Sequence, residues 1–103
     1  TIVDVAHDDL EYLQTNNTRT ATTVTSNTAT FTGVSILYPP TDSFIPAPTL
    51  SNFTFTANGI YIPIQAIISF VDVGANSILT INPSILGYTL VSTDSIIVVG
   101  KVT

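Results

Sequence analysis

His7 is the one histidine of the chain, and it sits among carboxylates: Asp4, Asp8 and Glu11 fall around it at helical spacings. An imidazole flanked by carboxylates on one helical face is a pattern that can hold a divalent metal. The same pattern describes a solvated polar face opposite a buried stripe, and that is the reading adopted. Asp8 and Asp9 are adjacent, but catalysis by paired carboxylates needs a pocket that drives their pKa values apart, and the surrounding residues build none. A Ser–His–acid set exists only as an inventory, because no serine sits in a nucleophile-elbow pattern. The glycines never form a phosphate-cradling loop. The sequence therefore offers no catalytic residue, no metal site and no cofactor site, and the expectation is a protein that is not an enzyme.

Recognition is the more plausible chemistry. Between Tyr38 and Thr49 stand Pro39, Pro40, Pro46 and Pro48, with Tyr38 and Phe44 among them. Prolines stiffen a loop, and a stiff loop loses little entropy on binding, so Tyr38 and Phe44 form the candidate binding loop. The competing role for Phe44 and Ile45 is to plug one end of the core. Asn16-Asn17-Thr18 and Asn52-Phe53-Thr54 fit the glycosylation sequon, a match expected by chance in so Thr-rich a chain.

Composition bounds what these residues can belong to. Lys and Arg together number 2 and Asp and Glu 7 in 103 residues, so only 9% of the chain is charged against 45% hydrophobic. An ordinary soluble domain is about one quarter charged. The surface must then be coated by Thr, Ser and Asn, or be partly hidden against other subunits. The net charge of −5 comes mainly from Asp4, Asp8, Asp9 and Glu11. With no basic patch, binding of nucleic acid is not expected. There is no cysteine, which excludes disulfides and zinc–thiolate sites. The apolar stretch from Ile60 to Val71 is broken by Pro63, Gln65 and Ser69 and falls short of the roughly 20 residues that cross a bilayer, so membrane insertion is not expected.

The elements that would position these residues follow from periodicity. Val3, Ala6, Leu10 and Leu13 share one helical face, and Thr1 with Asp4 matches a capping box, so residues 1–15 read as a short amphipathic helix that makes oligomer contacts. A strand at Thr1–Val5 followed by a turn is the alternative. Residues 16–103 read as one β domain. Strands are expected near 19–25 and 28–37 about a Ser26-Asn27 turn, because β-branched Thr and Val suit a half-buried pleat. Phe53, Phe55 and Ala57 alternate with Thr54 and Thr56 at a period of two. Asn58-Gly59 is the strongest hairpin signal, with Ile60–Ile62 returning from it. Strands follow at Ile67–Asp72 and Ser77–Ile81. Asn82-Pro83 and Leu86-Gly87 mark a compact connection, Ser92–Ser95 a turn, and Ile96–Val99 a run expected to be buried on both faces. About seven strands at short spacing predict an all-β, antiparallel sandwich or barrel, with helix confined to the N-terminal segment. The expected core is Phe53, Phe55, Ile68, Phe70, Leu79, Ile81, Ile96 and Val98.

The runs FTANGIYIP and SILTINPSILGYTLVSTDSIIVVGKV resemble segments of bacteriophage virion appendage proteins, the tail fibres, head fibres and related β domains. The first is similar to their strand–Asn-Gly–strand opening. In the second, a short strand leads to Leu86-Gly87-Tyr88, and Thr93-Asp94 precedes an apolar strand closing on Gly100-Lys101. The likeness covers roughly residues 53–102. It implies a structural virion module (fibre, spike or decoration domain) acting in assembly or host attachment, a homotrimer, contacts with other virion proteins and a host-surface glycan as a candidate ligand. It brings no catalytic residues. The alternative is a non-viral extracellular carbohydrate-binding or adhesin module at a cell surface.

Overall fold

A computed structural model describes residues 12, 16–38 and 47–103. Among the described residues eight strands run in order: β1 (Asn17–Thr20), β2 (Thr23–Val24), β3 (Thr28–Phe31), β4 (Phe53–Ala57), β5 (Ile60–Tyr61), β6 (Ile67–Val73), β7 (Asn76–Ile81) and β8 (Ile96–Gly100). They form two four-stranded antiparallel sheets, β1-β8-β4-β5 and β2-β3-β7-β6. The two sheets share one apolar core, in which Phe31, Leu79 and Ile81 of one meet Phe55, Ile96 and Val98 of the other. The protein is thus an all-β sandwich.

Period-two patterning placed most of that core correctly. Phe53, Phe55, Phe70, Leu79, Ile81, Ile96 and Val98 are all buried. Thr54 lies outside and Thr56 is half-buried, as the alternation along β4 requires. Ile68 is the exception. It is 61% exposed, because the register of β6 against β7 shifts between Ile67 and Ser69. A bulge inserts one residue into the strand and reverses the face of what precedes it. Ile67 therefore joins Phe70 inside, and Ile68 points out.

Three further expectations need correction. First, the run Ile96–Val99 is not buried on both faces. β8 alternates, with Ile96 and Val98 inside and Val99 exposed, as in a strand that turns one face to the core. Second, residues 19–25 do not make one strand. The chain leaves the first sheet at Ala21, whose N–H bonds the Ile96 carbonyl, and enters the second at Thr22, whose N–H bonds the Thr30 carbonyl. The partner strand likewise stops at Phe31 rather than reaching Leu37, because a turn at Thr32-Gly33 follows it. Third, helix is not confined to the N-terminus: Pro83–Leu86 is α-helical and is named α1. Its signals stand in the sequence. Asn82 Oδ1 accepts the Ser84 N–H at 2.9 Å, Pro83 occupies the first turn, and Gly87 ends it with φ 95.

The expected N-terminal helix and its stripe of Val3, Ala6, Leu10 and Leu13 lie outside the described residues. Tyr12, which that stripe did not include, is helical and buried. The Lys101 ammonium stands 5.5 Å from the centroid of its ring, a cation–π distance.

Candidate recognition groove

The two sheets leave a seam open along one side. β5 pairs with Thr56 and Ala57, so among the described residues no strand pairs with Phe53 and Thr54 on that flank. β6 is the edge of the other sheet. Over the touching rings of Phe53 and Phe70 lies a groove of ≈ 370 Å³, walled by Ile36, Pro48, Leu50, Ile68 and Val71 and rimmed by Tyr38. Thr49 and Ser69 supply its hydroxyl side chains. No carboxylate, amine or imidazole is among its described lining residues. The arrangement can seat an apolar or ring-shaped group by contact, with hydroxyls to orient it. Its described lining residues include no group that could transfer a proton near neutral pH.

Tyr38, expected in the binding loop, is 61% exposed at this rim. The described residues at the other end of the same loop, Pro48 and Thr49, line the groove as well. Phe44 lies outside the described residues, as do His7, Asp4, Asp8, Asp9 and Glu11. Sequence reasoning missed the groove itself. Its walls come from segments far apart in the chain, and no local pattern announces an unfilled seam.

Asp72 fixes one wall. Its Oδ1 accepts the Ile36 N–H at 2.9 Å and lies 2.8 Å from the Ser77 hydroxyl. That hydroxyl is fully buried and also stands 2.7 Å from the Val34 carbonyl. One proton thus serves two acceptors, and the carboxylate anchors the segment that leads to Tyr38. Asp72→Ala is expected to lower stability by about 1.5–3 kcal/mol, the range for hydrogen bonds to a charged group. Urea unfolding measures it, and an unchanged midpoint would show that the wall holds without Asp72.

The two turns singled out in the sequence meet in space. Asn58 Nδ2 donates to Asp94 Oδ1 at 2.9 Å, and Ser95 N–H donates to Asn58 Oδ1 at 2.8 Å. The Val91 N–H donates to the other Asp94 oxygen at 2.8 Å. The Asn58 amide first, and the Val91 N–H second, hold the Asp94 carboxyl below its ordinary range, against a smaller opposing effect of desolvation. A depressed carboxyl pKa adds stability above the unfolded value of about 3.9 and loses it as pH falls through the folded value. Asp94→Ala should therefore flatten the acid limb of a stability-versus-pH profile measured below about pH 4. An identical limb in the variant would assign the acid sensitivity elsewhere.

Among the described residues no group of three or more His, Cys, Asp or Glu side chains is placed to hold a metal ion, and no helix is long and apolar enough to cross a membrane. No protein-family model matches the chain, and no curated protein or solved structure is detectably similar to it.

Proposed function

We propose that this chain is a non-catalytic structural module of a bacteriophage virion appendage, a fibre, spike or decoration domain that assembles as a homo-oligomer. The observation that carries this reading is the chemistry of the outward sheet faces. Register rows place Thr18, Val99 and Thr54 side by side, then Thr20, Ile97, Thr56 and Tyr61. On the other sheet Thr23, Thr30, Ile78 and Val71 make a row. These rows carry β-branched apolar and hydroxyl groups and no charge. Val71, Val73 and Ile68 are 48%, 53% and 61% exposed. Surfaces of this kind are stable when covered, and obligate subunit interfaces resemble a core cut in half. The likeness of residues 53–102 to virion appendages supplies the virion setting and the preference for a trimer.

Light scattering on the purified chain at micromolar concentration is expected to give the mass of a trimer. A monodisperse monomer would overturn the reading. Asp at both Leu10 and Leu13 is expected to dissociate or aggregate the assembly while circular dichroism retains its β signal. An unchanged mass would remove the N-terminal stripe from the interface.

A second reading is a non-viral extracellular carbohydrate-binding or adhesin module. The groove rimmed by Tyr38 favours it, since an exposed aromatic beside hydroxyls is a surface on which a sugar ring can stack. A monomer that binds immobilised glycans, and loses that binding on Tyr38→Ala, would establish it.

A further inference from the structure

Asn58-Gly59 is a pair with a chemistry of its own. In an asparagine–glycine pair the glycine nitrogen can attack the asparagine Cγ, unhindered by any Cβ on the attacking residue. The new N–Cγ bond closes a five-membered imide. The glycine N–H proton passes to hydroxide, and Nδ2 gains a proton and leaves as ammonia. Water then opens the imide at either carbonyl. One product is aspartate; the other is an isoaspartyl linkage, with the main chain routed through Cβ.

Asn58 is exposed, so water and hydroxide reach it. Asn58 has φ 53 and Gly59 φ 83, the two positive values that a type I′ hairpin turn needs. Closing the imide requires the Asn58 amide to swing toward the Gly59 nitrogen. Both ends of that amide are already engaged, Nδ2 by Asp94 at 2.9 Å and Oδ1 by the Ser95 N–H at 2.8 Å. The Asn58 N–H is tied to the Ser95 carbonyl at 2.8 Å. The leaving nitrogen thus rests on a fixed carboxylate, whose charge also repels hydroxide.

We propose that Asn58 is a deamidation site held shut by Asp94 and Ser95. Its conversion sets a second carboxylate against Asp94, whose other oxygen is pinned by Val91 at 2.8 Å. Two carboxylates at hydrogen-bond distance cannot both stay ionised without strain. The β4–β5 turn and the 91–95 turn then separate, freeing the end of the ladder where Ala57 pairs with Ile96. Deamidation would act as a one-way loosening of this end of the sandwich.

The test follows deamidation of the whole chain by peptide mass mapping at mildly alkaline pH, scoring the acid and isoaspartyl forms of Asn58. Folded Asp94→Ala is expected to convert roughly tenfold faster than the folded unmodified chain, in line with the loss of a charge-assisted hydrogen bond. The unmodified chain should reach the variant's rate only in urea. Equal rates in the two folded proteins would overturn the proposal. If Asp94→Ala does not fold by circular dichroism, Asp94→Asn takes its place, since it keeps the shape and one acceptor oxygen. Equal rates for the unmodified chain with and without urea overturn the proposal whatever the variants do. Asn58→Asp tests the consequence: its stability should rise as pH is lowered from neutral and one carboxyl takes up a proton. A fall in parallel with the unmodified chain would show that no repulsion acts.

Discussion

Replacing Phe70 by alanine is expected to lower the unfolding free energy by about 3–5 kcal/mol. That is a large share of the roughly 5–15 kcal/mol that holds an ordinary domain together. Phe70 is where the two sheets meet. Its ring lies 5.0 Å from Phe53 and 4.9 Å from Phe55 across the sandwich, and 5.9 Å from Phe31 within its own sheet. All three contacts are edge-to-face, the arrangement in which the positive edge of one ring meets the negative face of another. Removing the ring costs its burial, three ring contacts and the cavity left behind. The groove beside it should also deepen, because Phe70 forms part of its floor. Urea unfolding followed by circular dichroism gives the number. A loss under about 1 kcal/mol would mean that the site collapses around the gap and that the ring contacts do not join the two sheets.

Gly100→Ala is expected to cost about 2–4 kcal/mol, from overpacking and backbone strain together. Gly100 ends β8, which runs between β1 and β4, and stands opposite both Asn17 and Phe53. A Cβ there would meet the Asn52 carbonyl oxygen at 2.6 Å and Phe53 Cδ1 at 2.7 Å, and φ is +156. The oxygen belongs to backbone and the ring is held in the core, so neither yields cheaply. Gly59→Ala provides the contrast. Its Cβ would enter open space, leaving only the positive φ of +83, worth about 1–2 kcal/mol. Thermal or urea unfolding of the two variants should rank them in that order. The reverse order would place the tight contact elsewhere.

Sequence and structure part company where contacts become long-range. Phe53, Phe55, Leu79, Ile81, Ile96 and Val98 were legible as core because a period of two assigns a face without knowledge of the partner strand. Asn58-Gly59 was legible as a hairpin because only such pairs accept two positive φ values. α1 was half legible: Asn82, Pro83 and Gly87 mark a cap, a first turn and a stop, but a single turn of helix has no apolar period to detect. Ile68 was misplaced because a bulge depends on how β7 lies against β6, and nothing in the residues themselves records the added step.

The chemistry of the chain, by contrast, was fixed by its residues. A scarcity of charge, an absence of cysteine and a wealth of Thr determined that the surface is hydroxyl and apolar and that a sheet-forming backbone underlies it. Those follow from what each side chain is, wherever it ends up. Tertiary structure decided the rest. It divided the strands between two sheets at Ala21 and Thr22, left a groove over Phe53 and Phe70 with Tyr38 at its rim, and tied Asn58 to Asp94 across 36 positions of sequence. Each of these depends on which distant segment arrives as a neighbour. Local propensity cannot specify that, because the free energy of such contacts comes from burial and hydrogen bonding completed only when the whole core closes.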